Sequence, residues 1–312
     1  MSDLPAEKII RVLENIKSKY DSRKITVALT GGEPLCYPDL FELGRRIFEL
    51  QFPWGMVTNG FSWNVETLHR ALQSGIHSIT VSLDGTADEH NWLRGHPESF
   101  ERAVRTIKMF VDSPIAGKMD IVTCINKRNI HKLDNFYDFI HKLGVKSWRF
   151  FIISPIGRAT FAKELLLNGD EIRFLMEKIV EFKKRDEIQC NYSESGYLGC
   201  EYENQVRDHD HFCTAGVNVS GIMVNGDILA CPNINRKFSQ GNIDEKSFVE
   251  VWENGYRPFR NREWMRTGDC KECREWQHCK GNGFHLREPG VAGTKLCHHK
   301  LLTDNRKEQG ES

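Results

Sequence analysis

Two hydropathic rhythms alternate along the first 185 residues. From Pro5 to Tyr20 the residues Ile9, Ile10, Val12, Leu13 and Ile16 recur on one stripe, which predicts an amphipathic helix. ITVALT (25–30) is a short apolar run halted by Gly31-Gly32, as a buried strand would be. The pair of patterns then repeats. PDLFELGRRIFEL reads as a helix, and GMVT as a strand ending in Asn59-Gly60. VETLHRALQSG is a helix stopped by glycine, and SITVSL a strand ending in Asp84-Gly85. SFERAVRTIKMFV, MDIVTCI, KLDNFYDFIHKLG and KSWRFFII continue as helix, strand, helix and strand, followed by the charged helical stretch GDEIRFLMEKIVEFKKRDE. Five strands alternating with helices predict an α/β fold of parallel βαβ units with right-handed crossovers.

Near residue 186 the texture changes. VSGIMVNGDILACP predicts a hairpin with a type I′ turn at Asn225-Gly226. Beyond it the chain is loop-rich, with Trp252, Tyr256, Phe259, Trp264 and Trp276 scattered among cysteines. The pattern divides the chain into an α/β region (1–185), a small cysteine-rich region (186–302) and a disordered tail (303–312).

Composition narrows the partners. Forty-three basic residues balance forty-three acidic ones. No global field draws nucleic acid or an anionic membrane. Mean hydropathy is −0.49, and no apolar run approaches the ~18–20 residues of a membrane span. The N-terminus shows no basic segment followed by an apolar core, so no secretory signal is read and a cytoplasmic location is expected. In a reducing compartment cysteines serve metal or redox chemistry rather than a disulfide framework. Eight of the ten cysteines lie from Cys190 onward.

Three polar loops follow successive strands. Thr30-Gly31-Gly32-Glu33-Pro34-Leu35 offers backbone that can approach a ligand closely and a carboxylate suited to an ammonium group. Read as plain structure, it is a strand-to-helix turn with Glu33 capping the next helix. Thr58-Asn59-Gly60, Ser82-Leu83-Asp84-Gly85 and then Asn126 carry short side chains suited to a ribose or adenine edge, or serve as turns and caps. Cys270-x2-Cys273-x5-Cys279 with Cys297 gives four thiolates that can close around iron–sulfur or zinc. Cys213 and Cys231 stand at the feet of the predicted hairpin. Cys36 and Cys124 read as core residues.

Taken together these residues resemble the radical S-adenosylmethionine (SAM) enzymes, and the C-terminal cysteine pattern resembles their SPASM extension. The resemblance covers about residues 5–300. It implies a (β/α)6 barrel and a peptide or protein maturase working through the 5′-deoxyadenosyl radical. Gly31, Gly32, Glu33 and Pro34 would then hold the methionyl amino group, while Thr58, Asn59, Ser82 and Asp84 line the SAM pocket, with Asn126 near the nucleoside. Cys270, Cys273, Cys279 and Cys297 would bind an auxiliary [4Fe–4S] cluster. Arg94 and Arg149 are candidate substrate-side groups. The implied partners are a peptide or small protein and an electron donor such as flavodoxin or ferredoxin, with no nucleic acid. The wording of FPWGMVTNG and WLRGHPESF resembles a bacterial subgroup encoded beside a small lipoprotein, whose precursor would be the substrate.

Two departures from the family pattern qualify this. The family's CxxxCxxC, which binds the SAM-chelating [4Fe–4S] cluster, occurs nowhere in these 312 residues. The expected barrel is therefore partial, lacking its first strand and cluster loop. That further cluster is expected only with the missing segment, and this chain alone is expected to be inactive. The alternative is a non-catalytic SPASM-type peptide-binding protein that has lost SAM cleavage; a zinc knob on an unrelated α/β domain is a third reading. The second departure is Gly283, where the family has a cysteine. It leaves Cys213 and Cys231 short of ligands, so that either Cys200 or Cys190 substitutes or that second cluster is absent.

Overall fold

The computed structural model describes residues 3–209 and 211–309. Six strands form one parallel sheet in chain order: β1 (Val27–Leu29), β2 (Trp54–Thr58), β3 (Ile76–Ser82), β4 (Met119–Ile125), β5 (Ser147–Ile152) and β6 (Gln189–Tyr192). Every step moves one strand onward, so right-handed crossovers place the connecting helices on a single face. Those helices are α2 (Leu40–Glu49), α3 (Val65–Gln73), α4 (Ala87–Arg94), α5 (Ser99–Val111), α6 (Leu133–Lys142) and α7 (Gly169–Arg185), with α1 (Ala6–Lys17) ahead of them.

The strands explain the sidedness. On β4 and β5, Ile121, Thr123, Ile125, Trp148, Phe150 and Ile152 are buried, while Asp120, Val122, Cys124, Arg149 and Phe151 alternate with them and stay half-exposed. The buried face carries the aromatic core. Trp148 lies 4.0 Å from Phe150, 5.4 Å from Phe136 and 5.7 Å from Phe182, centroid to centroid. Its indole N–H donates to Thr123 Oγ1 at 2.8 Å, so the large ring is buried without an orphaned donor. At the other end of the sheet Trp54 is fully buried and donates to the Ser74 carbonyl at 3.0 Å.

The chain divides into two compact units. One comprises residues 17–153 and 175–193; the other comprises 1–16, 154–174 and 194–312. The sheet belongs to the first. Its sixth strand, β6, lies beyond the composition shift near 186. QCNY is short and mostly polar in letters, yet Cys190 and Tyr192 point into the core and pair the strand with β5. α4 is equally silent in the sequence, because Asp, Glu, His and Asn dominate its first turns and no apolar stripe marks it.

The second unit is built from short turns around an apolar cluster of Ile228, Leu229, Phe238, Tyr256, Phe259, Trp276 and Phe284. Its hairpin pairs β7 (Gly221–Ile222) with β8 (Ile228–Leu229). The turn differs from the expected type I′. Gly226 N–H donates to the Met223 carbonyl at 2.8 Å, and Gly226 is left-handed (φ 87°) while Asn225 is not. That is a three-residue loop with a glycine bulge. It forms because the Asn225 side chain accepts the Asp227 N–H and donates to its carboxylate. Residues 303–309, expected as tail, continue the helix His298–Gln309, which is anchored by the buried Leu302. Residues 310–312 of the expected tail lie outside the described residues.

Candidate active site and cysteine centre

The polar loops all leave the carboxyl ends of neighbouring strands, where parallel sheets present their ligands. The first two are joined by one carboxylate. Glu33 Oε1 accepts from Thr58 Oγ1 at 2.8 Å and from Leu35 N–H at 3.3 Å, and Oε2 accepts from Asn59 N–H at 2.7 Å. Glu33 thus caps the turn Pro34–Cys36, as the structural reading has it, and also ties the β1 loop to the β2 loop. Thr58 is buried and its hydroxyl accepts from Gly60 N–H and Trp63 Nε1, both at 3.1 Å. Asn59 closes an Asx turn on Phe61 N–H at 2.8 Å.

Gly31 and Gly32 lie just ahead of this junction. Gly31 has φ 135°, and no heavy atom lies within 4 Å of where a side chain would start at either position. Their exposed peptide groups have no protein partner among the described residues. A zwitterionic amino-acid end fits such a cradle, with open backbone groups on one side and a carboxylate on the other. Pro34 is buried and fixes the exit of the loop.

A second carboxylate organises the next two strand ends. Asp84 is 1% exposed; Oδ1 accepts from Cys124 N–H at 2.9 Å and Oδ2 from Arg94 Nε at 2.7 Å. Asp84 N–H donates to His90 Nδ1 at 3.0 Å. Burial pushes the His90 imidazole down to about 4, with Asp84 opposing and Arg94 reinforcing that shift. The ring is therefore neutral, with Nδ1 as acceptor. Asn129 donates to the carbonyls of Asp84 (2.9 Å) and Cys124 (3.0 Å), and its Oδ1 accepts from Asn126 N–H at 2.8 Å. The Asn126 side chain is engaged by the Cys124 carbonyl and Arg128 N–H. Asp84 and Asn126 thus hold the loop frame together, whereas Gly31 and Gly32 face open space. Ser82 is buried at the end of β3, with Val122 opposite it in register.

Arg94 is bound to Asp84. Arg149, on the half-exposed face of β5, pairs with Asp120 of β4 and donates to Thr80 Oγ1 of β3 at 2.8 Å. Asn129 and His90 are not singled out by sequence. The first has a retrospective signal, an Asn-x-x-Asn spacing that closes a turn on itself; His90 has none. Cys36, expected in the core, is exposed, because its turn lies at the surface; Cys124 is half-buried on β4.

In the second unit the four spaced cysteines are neighbours. Burial pushes the Cys279 thiol up to about 12, and the adjacent Cys297 and Cys270 thiols act in the same direction. Cys297 is likewise raised by burial, with Cys270 and Cys273 adding to it. Among the described residues no three His, Cys, Asp or Glu side chains come close enough to hold a single metal ion. A four-iron cube spans its thiolates more widely than one ion does, so a set of neighbouring thiols on loops suits the larger group.

Cys213 and Cys231 also meet, Cys231 being raised by burial and further by Cys213. Both belong to the apolar cluster of the unit. Position 283 offers no substitute ligand: a side chain there would start 2.7 Å from the His285 ring and 2.8 Å from the Ser195 carbonyl. His285 occupies that space and pairs with Glu194 at 3.0 Å. Cys190, considered as a replacement, is buried on β6 and pushed up to about 12 by burial, so it is a core residue of the other unit. Cys200 is exposed, 3.4 Å from the Tyr197 hydroxyl.

Comparison with known proteins agrees with both halves. The radical SAM superfamily profile matches residues 1–140, and the SPASM iron–sulfur cluster-binding domain matches residues 213–274. The chain carries a radical SAM domain and a SPASM iron–sulfur cluster-binding domain. Its cofactors are accordingly SAM and [4Fe–4S] iron–sulfur. AdoMet-dependent heme synthase of Nitratidesulfovibrio vulgaris is 23% identical over 294 residues, covering 88% of this chain and 79% of that protein. PqqA peptide cyclase of Rhizobium meliloti is 22% identical over 289 residues, covering 88% and 74%. Among solved structures, Streptococcus suis SuiB has the same fold. It superposes with a TM-score of 0.70 at 21% identity, over 94% of this chain and 71% of its own. SuiB has also been solved with S-adenosylmethionine and with its precursor peptide SuiA. No helix among the described residues is long and apolar enough to cross a membrane.

Proposed function

We propose that this radical SAM/SPASM chain acts in peptide or small-protein maturation, binding SAM at the carboxyl ends of β1–β4 and one auxiliary [4Fe–4S] cluster in its C-terminal unit. The observation that carries the reading is the Glu33 junction. It leaves Gly31 and Gly32 open beside a carboxylate fixed by Thr58 and Asn59. Gly31, Gly32 and Glu33 would hold the methionyl end of SAM. Asp84 and Asn126 would fix the strand-end loops beside Ser82, and Glu33 the loop on which Asn59 meets the rest of it. Bound SAM supplies a 5′-deoxyadenosyl radical when reduced. The chain's own part is to orient SAM and exclude water around it. Cys270, Cys273, Cys279 and Cys297 would ligate the auxiliary cluster. Cys213 and Cys231 are a weaker pair of ligands, because nothing at 283 completes their set.

The peptide class rests on the likeness to SuiB and to the PqqA cyclase. The heme synthases are comparably similar, so an iron porphyrin is the discriminating competitor. The test titrates the anaerobically reconstituted chain with iron coproporphyrin, following the Soret band, and separately with a photo-crosslinkable peptide library. Crosslinking that SAM enhances, without a saturable Soret shift, supports the peptide reading; the reverse result overturns it. These 312 residues contain no CxxxCxxC. With SAM and dithionite they are expected to release no 5′-deoxyadenosine above a protein-free control. Multiple-turnover release would mean that other cysteines serve.

A further inference from the structure

The C-terminal unit buries two arginines that no carboxylate pairs with among the described residues. Arg287 is 3% exposed. It donates through Nε and Nη2 to the Gly281 carbonyl at 3.0 and 2.8 Å, and through Nη1 to the Met265 and Gly293 carbonyls at 3.1 and 2.6 Å. Its remaining bond runs from Nη2 to Cys270 Sγ at 3.1 Å. Arg262 is 5% exposed. It donates through Nε to the Phe259 carbonyl at 2.9 Å and through Nη2 to the Cys213 carbonyl. Its guanidinium carbon lies 4.0 Å over Phe212 and 4.9 Å over Phe284. Its Nη1 is buried with no partner. The nearby thiols that act on its charge are Cys213 and Cys279.

A guanidinium stays charged in proteins, and removing it from water without an anion is costly. All but one of these hydrogen bonds end on carbonyls, which are dipoles and leave the charge itself unneutralised; the exception ends on sulfur. One arginine could be an oddity of packing. Arg287 reaches the four-thiol set directly at Cys270 Sγ, while Arg262, held on the Cys213 carbonyl, has Cys213 and then Cys279 of the set as the thiols that act on its charge, so both guanidinium groups face sulfur where an anion would sit. A four-iron, four-sulfide core held by four thiolates is a net anion in both of its common states. Hydrogen bonds to the ligand sulfurs and nearby charge set where its potential falls.

We propose that Arg287 and Arg262 are the counter-charges of the cluster bound by Cys270, Cys273, Cys279 and Cys297, and that Arg287, bonded to Cys270 Sγ, raises its reduction potential. One-electron reduction adds negative charge to the cluster, and a fixed cation beside a ligand sulfur favours that added charge. The arginines are positioning residues that act through the cluster. The inference rests on reading the four cysteines as its ligands.

The test is an EPR-monitored dithionite titration of the reconstituted full chain. Wild type is compared with Arg287→Met, Arg287→Lys and Arg262→Met, with iron per chain measured for each. At the wild-type midpoint, Arg287→Met is expected to cut the ratio of reduced to oxidised cluster about tenfold, a shift of ~59 mV downward for a one-electron couple. Arg262→Met should shift it the same way by less, and Arg287→Lys should recover most of the loss. Full iron with an unmoved midpoint in both methionine variants overturns the proposal. Should Arg287→Met fail to hold iron, Arg262→Met and Arg287→Lys still decide it. Wild-type midpoints in both would refute it, and graded downward shifts would support it. A wild-type chain that reconstitutes without any iron–sulfur absorption near 400 nm would instead remove the ligand reading beneath it.

Discussion

Glu33 accepts three hydrogen bonds inside the protein, so a SAM ammonium group would meet a carboxylate that is already aimed. An amide there could accept at one atom only, and its NH2 would face an N–H or hydroxyl donor. Glu33→Gln is expected to weaken SAM binding about tenfold, the worth of one charge-assisted hydrogen bond. Calorimetry on the reconstituted chain would read it, and unchanged affinity would remove Glu33 from the SAM contact. His90 makes a different prediction. Its folded value of about 4 lies below the ordinary 6.5. The unfolded chain therefore binds the proton more readily between those values, and folding stability falls as pH drops through that window. The His90 contribution is intact above pH 6.5 and about 2 kcal/mol poorer at pH 5, because each tenfold difference in proton affinity is worth about 1.4 kcal/mol. Urea unfolding of wild type and His90→Gln at pH 7.5 and 5 should show the loss in wild type and a smaller one in the variant. Equal losses would place the acid sensitivity elsewhere.

Elements with a strong period are legible from the letters alone. α5 and β4 match Ser99–Val111 and Met119–Ile125 to the residue, since each carries an uninterrupted pattern bounded by turns. α4 and β6 are missed for want of such a pattern. The strand-end residues are legible as a set of loops, but their division of labour is not. Nothing in the letters separates Asp84, buried and fully bonded, from Gly31, open to a ligand; that depends on what the fold brings against each. Arg287 and Arg262 are illegible for the same reason, because arginine in a loop reads as surface. Packing between elements also sets hidden limits. A methyl at Gly44 on α2 would start 2.3 Å from the buried Trp54 ring. Alanine there gains up to ~1 kcal/mol of helix propensity but overpacks the core by ~1–3 kcal/mol or more. Gly44→Ala is expected to destabilise the fold by about 2 kcal/mol, measured by chemical denaturation. A stabilised variant would mean that α2 slides freely off the sheet.

At the scale of the whole chain, the two units differ in what holds them. The sheet unit has a continuous aromatic core, whereas the cysteine-rich unit has short turns and a smaller cluster. Metal binding should therefore supply part of the folding free energy of the latter. Cys273→Ala is expected to lose iron and protease protection across residues 194–302, while Cys213→Ala keeps most of both. The opposite pattern, in iron per chain and limited proteolysis, would reassign the complete site to the hairpin pair.

The cysteine-rich unit also gathers residues 1–16 to segments near the end of the chain. The Lys8 ammonium lies 2.6 Å from the Asp244 carboxylate, and Ser247 Oγ lies 3.0 Å from Asn15 Oδ1. Those partners are 236 and 232 positions apart. At roughly 5–20 residues per second of synthesis, the first helix emerges from the ribosome on the order of ten to fifty seconds before its partners exist. The strands between them, each beside its predecessor, can assemble in order as they appear. The Lys8 and Asn15 side chains therefore find these partners only after all six strands of the sheet have been made.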